Sequence, residues 1–492
     1  MGNAIGEFMN DQTPIRFDNS YARLPDRFFA RVAPTAAPEP EVLRINAALA
    51  ELLNIDADWL ATAEGLAALS GAQPLPGAEP LAMAYAGHQF GQFVPQLGDG
   101  RALLLGEVLG QDDIRYDIQL KGSGRTPFSR GGDGRAVLGP VLREYIVGEA
   151  MASLGVPTTR GLAAYLTGED VMRDGLEPGA VFVRVAQSHV RVGTFQYFAV
   201  RGDTEGLRAL ADYVIARHYP AARYADAPYL ELFRQVLKRQ AALIAKWQSI
   251  GFIHGVMNTD NMSIAGETID YGPCAFMDTY HPQTVFSSID RQGRYAYGNQ
   301  PAIAQWNLMV LAQSLLPLMH DDPEQAVGPA QEVLNTFPEE FENAYLARMR
   351  EKLGLTQEEE GDDALIKSLF DSMAQSEADF TLTFRHLSEG EAGEPYLTEG
   401  VREWLPHWQA RLEREPASPD ARLAAMRSIN PLYVPRNHLV EKAIQAALKG
   451  DLSVFDELMT VLARPFDAQD GRDAFARPPA PEEVVHQTFC GT

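Results

Sequence analysis

Three oxygen-bearing side chains in one short stretch could do chemistry together. In residues 251–278, GFIHGVMNTDNMSIAGETIDYGPCAFMD, Asp260 and Asn261 are adjacent and Asp270 follows shortly after. A strand–turn–strand over 262–269 would return the chain beside its start and set Asn261 next to Asp270. An amide oxygen plus a carboxylate is a hard-oxygen pair suited to Mg2+, with phosphate oxygens and water completing the shell. The same residues also suit an Asx turn at each end of a hairpin. The segment alone leaves both readings open.

Residue order narrows the choice. The segment resembles the catalytic and metal loops of protein kinases, H-R-D-x-x-x-x-N followed by D-F-G. His254 and Asn261 fill the first and last places of the former, and Asp270-Tyr271-Gly272 fills the latter. The place of the usual proton acceptor, two after the histidine, holds Val256, while Asp260 stands immediately before the metal-type Asn261. Upstream, Lys121 ends YDIQLK, and Glu144 lies in LREYIVGEA. A strand-end lysine held by a helical glutamate suits a nucleotide phosphate. Either residue alone would be read as part of a surface ion pair; lysine, helical glutamate, asparagine and Asp-x-Gly in this order is a stronger signal.

Gly98-Asp99-Gly100-Arg101 precedes the apolar run ALLLGEV, and glycines there let backbone N–H groups approach phosphate. A plain hairpin turn reads the same way. Residues 115–145 hold six Lys/Arg (115, 121, 125, 130, 135, 143) against three acids (117, 133, 144), a local +3 in a chain of net charge −24. His88 and His189 are expected to be core or hydrogen-bonding histidines, and Tyr85, Phe90 and Phe93 to serve packing. No H-E-x-x-H, Walker A or G-x-S-x-G motif is present.

Longer stretches carry a more specific likeness: AYAGHQFGQFVPQLGDGRA (84–102), QLKGSGRTPFSRGGDGRAVL (119–138), RVAQSHVRVGTFQ (184–196), HGVMNTDNMSI (254–264) and IDYGPCAFMD (269–278). In these the chain resembles the selenoprotein O family, called YdiU in bacteria, over nearly its whole length. The resemblance implies a kinase-like fold that binds ATP in a flipped orientation and transfers AMP to Ser, Thr or Tyr hydroxyls of proteins, with Mg2+ or Mn2+. Carried over by motif, nucleotide contacts fall on Gly98, Gly100, Arg101, Lys121, Asp133, Gly134, Arg184 and Arg191. The metal positions fall on Asn261 and Asp270, and the base on Asp260; Glu144 orients Lys121. Flipping would set the α-phosphorus in line with the attacking oxygen, and arginines deep in the cleft could hold the leaving β- and γ-phosphates. The seven-residue spacing of Arg184 and Arg191 would put both on one face of a helix but not of an extended segment. Some family members carry selenocysteine near the C-terminus; this chain has Cys490 there. Cys490 and Cys274 are the only two cysteines, and they are a candidate redox pair tying the tail across the cleft, weighed against two unrelated thiols in a reducing compartment.

Elements must position these residues. Strands are expected at 102–108, 116–120, 161–166 and 180–185, and helices at 39–53 (EPEVLRINAALAELL), 136–154, 204–216, 229–250 and 305–316, the last stopped by Pro317. Further helices fill 325–460, the acidic run 357–363 reads as a solvated connection, and residues 464–492 as an extended Pro-rich tail. Strands with one helix first and helices afterwards give an α+β chain, not an alternating parallel sheet. It is read as a protein-kinase-like two-lobed fold with additional helical elements: an N-terminal extension (1–80), a nucleotide-binding N-lobe (81–200), a helical C-lobe (201–463) and the tail (464–492).

The bulk composition agrees. With 42 Lys+Arg against 66 Asp+Glu, an acidic surface argues against nucleic acid or anionic membrane as partner. Two cysteines in 492 residues exclude a disulfide-dense secreted scaffold or a Cys-rich zinc module. The start shows no basic segment followed by an apolar run, so a cytoplasmic monomer acting on protein substrates is expected. Three rival activities remain: UMP transfer from UTP with Mn2+, a non-catalytic nucleotide-binding regulator suggested by Val256, and phosphate transfer with Asp260 as a displaced base.

Overall fold

Polar and apolar residues alternate through RYDIQLK, so Asp117, Gln119 and Lys121 share one face of a strand while Ile118 and Leu120 share the other. The computed structural model describes residues 13–489. Its strands are β1 (Phe29–Arg31), β2 (Glu41–Ile45), β3 (Leu81–Met83), β4 (Gly87–Gln89), β5 (Gln92–Val94), β6 (Ala102–Leu109), β7 (Arg115–Lys121), β8 (Ala136–Val137), β9 (Arg160–Met172), β10 (Leu176–Ala186), β11 (Phe252–Ile253) and β12 (Ala275–Phe276). Among the described residues an antiparallel sheet runs in the order β1-β3-β6-β7-β10-β9-β2, with β8 pairing β10. Two of its strands, β1 and β2, come from the stretch expected to precede the sheet.

Both faces of the sheet are covered. Leu105, Ile118, Leu120, Val181 and Val183 pack under Leu49, Leu53, Leu60 and Leu69. On the opposite face Phe182 meets Leu142 and Tyr145 of the Leu138–Ser153 helix, which in turn packs on the Asn437–Ala447 and Ser453–Leu462 helices. The remainder is helical: Pro228–Ser249 lies against Gln300–Met319 and Phe337–Lys352.

The mixed α+β class and the four central strands agree with expectation; several local readings are corrected. The 39–53 segment is not one helix. Glu41–Ile45 pairs with β9 and only Ala47–Leu52 is helical, with Asn46 capping through its side chain. Sheet pairing overrides the helical pattern there. The 262–269 segment does not pair with itself as a hairpin. Its arms bond to neighbours instead, Met262 O to Val192 N and Thr268 O to Thr159 N. The Gln300–Met319 helix runs past Pro317 to its end. Asp362 of the acidic run is buried against Arg411 rather than solvated. The Pro-rich tail is fastened to the body: Arg436 Nε donates to Ala476 O at 3.1 Å and Thr488 Oγ1 to Pro273 O at 2.6 Å. Among the described residues one helical stretch, Tyr297–Met319, is long and apolar enough to cross a membrane; half of its most apolar window is buried inside the molecule.

Candidate active site

A cleft of about 530 Å³ opens where β6 begins and β7 ends, and it collects every residue predicted for nucleotide, metal or base. Gly98, Gly100, Arg101, Lys121, Asp133, Gly134, Glu144, Arg184, Arg191, Asp260, Asn261 and Asp270 all line it. Strand alternation explains three of the cleft's supports. Arg184 on β10 is paired in register with Gln119 on β7, and Lys121 with Phe182, so Gln119, Lys121 and Arg184 share one face. Gln119 Oε1 accepts from Arg184 Nε and Nη2 at 3.1 and 2.5 Å.

Charge converges on Asp270. Lys121 Nζ stands 3.3 Å from its Oδ1, Arg184 Nη1 donates to the same oxygen at 2.6 Å, and Arg191 Nη1 pairs with Oδ2. Lys121 also pairs with Glu144, whose other oxygen takes Arg184 Nη1 at 3.0 Å. Burial would raise the Asp270 carboxyl, but Arg191, Arg184 and Lys121 outweigh it and hold it well below the usual carboxylate range. Asp270 has φ +62°, a left-handed conformation uncommon for a residue with a side chain and best tolerated by Asn and Asp. Arg184 leaves a strand and Arg191 caps the N-terminus of the Val192–Ala199 helix. Their spacing is thus neither one helix nor one strand; the turn between them brings both to one carboxylate.

Asp260 differs in kind. It is buried, its Oδ2 accepts from Gln89 Nε2 at 3.1 Å, and its Oδ1 has no hydrogen-bond partner among the described residues. Burial pushes its carboxyl up to about 6. Its backbone carbonyl accepts from Arg191 Nη1 at 2.6 Å. The β4–β5 hairpin is built close on this loop. A side chain at Gly87 would fall 2.5 Å from Asp260 Oδ1, Phe90 N bonds Asn258 Oδ1 at 3.0 Å, and His88 N bonds Thr259 Oγ1 at 2.7 Å. Asn261 Nδ2 donates to Val256 O at 2.9 Å, which fixes the amide by its nitrogen end. An asparagine oxygen and the Asp270 carboxylate on one cleft wall are a chemically suitable hard-oxygen pair for a divalent cation that also binds phosphates.

The glycine-rich rim is locked from outside. At Gly98 (φ +117°) a Cβ would meet the Phe128 ring at 2.5 Å, and at Gly134 (φ +72°) the carbonyl of Gly124 at 2.1 Å. Thr126 Oγ1 donates to Asp99 O at 2.6 Å, joining the two loops. Asp133 is held by Arg173 through two bonds of 2.7 and 3.1 Å.

Sequence reasoning missed Gln89, Asp99, Gln119 and Arg173. Asp99 is buried beneath the glycine turn, where burial raises its carboxyl to about 6 while Met83 N and Gln119 Nε2 bond it. The alternation of YDIQLK carried a signal for Gln119; nothing in the sequence pairs Arg173 with Asp133. Tyr85 lies under the Arg191 guanidinium at 4.8 Å as well as packing. His88 and His189 are hydrogen-bonding histidines as expected, on Gln196 and Asp117. Cys274 is buried, and Cys490 lies outside the described residues.

Comparison with known proteins gives the family. The family model described as "Protein adenylyltransferase SelO" matches residues 12–463. Proteins named "Protein nucleotidyltransferase YdiU" are similar along nearly their whole length. That of Rhodopseudomonas palustris (strain BisB5) is 61% identical over 97% of this chain and 99% of its own. That of Rhizobium etli (strain CIAT 652) is 59% identical over 97% of each. That of Methylorubrum populi (strain ATCC BAA-705) is 59% identical over 97% and 99%.

Proposed function

This chain belongs to the SelO/YdiU family of protein nucleotidyltransferases, and we propose that it moves AMP from ATP to Ser, Thr or Tyr hydroxyls of protein substrates, releasing pyrophosphate. One observation carries the reading: a single cleft holds a buried carboxylate, Asp260, one of whose oxygens has no partner among the described residues, beside three cations gathered on another, Asp270. The first suits a proton acceptor and the second a polyphosphate site.

In this reading the acceptor hydroxyl gives its proton to Asp260 Oδ1 as its oxygen bonds the α-phosphorus. The bond to the β-phosphate oxygen breaks, and pyrophosphate leaves with the charge. Lys121, Arg184 and Arg191 pass from Asp270 to the phosphate oxygens, so their positive charge is already in place when the leaving group develops. Glu144 and Gln119 keep Lys121 and Arg184 in position. Asn261 and Asp270 would hold a divalent Mg2+ or Mn2+, which would supply further charge neutralisation on the phosphates. Gly98, Gly100, Arg101, Asp133 and Gly134 form the nucleotide rim.

The strands β3 to β10 with the Glu144 helix are read as the N-lobe (81–200) of a kinase-like fold, to whose sheet the 1–80 extension adds β1 and β2, and the helical remainder as its C-lobe (201–463). Residues 1–80 precede them, and the tail (464–492) closes the chain as a monomer working in the cytoplasm, where ATP is supplied. Cys274 and Cys490 are read as a redox pair. Thr488 bonds Pro273 O, one residue before the first cysteine and two before the second, which supports their being within reach. The test is transfer of label from ATP carrying it at the α- or γ-phosphate.

A further inference from the structure

At the C-terminal end of the Glu144 helix, four helix ends enclose a second cavity, of about 360 Å³. They are the C-terminal ends of Leu138–Ser153, Pro228–Ser249, Phe337–Lys352 and Pro419–Ile429. Its walls carry Lys246, Arg348 and Lys352 and no carboxylate, in a chain of net charge −24. Composition does not produce such a patch; the fold assembles it.

Helix C-termini attract cations, but that role is largely filled otherwise. Lys352 O is capped by Asn430 Nδ2 at 2.8 Å, Met151 O by Val156 N, and Trp247 O by Ile250 N. Lys246 Nζ does bond Gly155 O, at 2.6 Å, and Arg348 pairs with Glu351 at 3.0 Å. Lys352 has neither kind of partner. It is 3% exposed, and among the described residues its ammonium lies over the rings of Phe384 and Phe380, at 4.2 and 6.0 Å. An ammonium on so buried a side chain, with no hydrogen-bond acceptor among the described residues, is costly unless something in the cavity answers it. Burial accordingly lowers its amine to about 7, so a bound anion would both supply the missing acceptor and favour the charged form.

We infer that this cavity binds a small anion of the phosphate class, held by Lys352 at its base with Lys246 and Arg348 at its sides. The volume lies at the lower end of small-molecule pockets, enough for inorganic phosphate or a small phosphate monoester. The wall residues Ser153–Val156 lead into Pro157, whose carbonyl accepts from Thr268 N at 2.9 Å, two residues before Asp270. An anion here would tie the end of the Glu144 helix to the helical region. This inference stands apart from the proposed transfer reaction.

Calorimetric titration of the full chain with inorganic phosphate and, separately, with glycerol 3-phosphate, at fixed ionic strength, tests it. The expected result is binding of at least one anion, weakened about tenfold or more in Lys352→Met, as suits loss of a charge-assisted hydrogen bond. Lys246→Met should weaken it as well, and Arg191→Met, in the main cleft, should leave the Lys352-dependent part of the binding unchanged. The stronger of the two probes distinguishes free phosphate from an ester. Should Lys352→Met melt early, Lys246→Met paired with Arg348→Gln decides by the same criterion. Absence of binding by the unaltered protein, binding indifferent to the Lys352 and Lys246 variants, or loss of the Lys352-dependent binding in Arg191→Met would each overturn the assignment.

Discussion

Gln89 donates its side-chain amide to Oδ2 of Asp260 at 3.1 Å, and Oδ1 of that buried carboxylate is left without a partner among the described residues. The bond orients the carboxylate and stabilises its charged form, against a burial that raises it to about 6. Only the ionised carboxylate can accept a proton, so transfer should rise with pH through about 6 and level off above it. Gln89→Leu removes a bond that favours the ionised form, so this acid limb should move to higher pH while ATP binding changes little. An unmoved limb would separate Gln89 from the base.

Asp260→Asn should lower transfer by about 10²–10⁴-fold, the usual range for a general base, and leave ATP affinity within about threefold. The second measurement, by calorimetry, distinguishes a missing base from a misfolded cleft. Near-normal transfer would remove Asp260 from the chemistry.

Asp270 is neutralised by three cations that phosphates would otherwise take. Asp270→Ala should therefore retain or tighten binding of ATP in the presence of a chelator, while transfer with Mg2+ or Mn2+ is lost. Metal-free ATP binding that collapses in this variant would show that Asp270 organises the cations rather than competing for them.

Glu144 holds both Lys121 and Arg184. Glu144→Gln should thus impair transfer at least as much as Lys121→Met, and the double variant should fall no further than about the worse single, because contacting groups act as one unit. Steady-state kinetics of the three variants checks this; multiplied losses would indicate separate roles.

Mild oxidation should yield a peptide crosslinked between Cys274 and Cys490 and lower transfer, with a dithiol restoring it. Non-reducing peptide mass spectrometry with activity assays before and after reduction reads both. Equal activity in the two states would dismiss the switch.

The legible part of this site was the part written in local pattern. Alternation in YDIQLK fixed a strand with Lys121 at its end, and the His254, Asn261 and Asp270 order marked the opposite wall. What was not legible depended on pairing between distant segments. Nothing local tells Glu41–Ile45 from the helix that follows it; β9 decides. Arg184 and Arg191 meet at Asp270 only because the strand that carries the first ends at Ala186 and the second caps the helix that starts at Val192. The arms of 262–269 were taken by neighbouring backbone, and Arg173 reaches Asp133 from 40 residues away.

The most direct test of nucleotidyl transfer follows the label. Purified protein, a mixture of candidate acceptor proteins and divalent metal are incubated with ATP labelled at either the α- or the γ-phosphate, and protein-bound label is counted. The account predicts label on protein from the α position alone, with pyrophosphate released in equal amount and both abolished in Asp260→Asn. Label carried from the γ position, and not from the α, would contradict it.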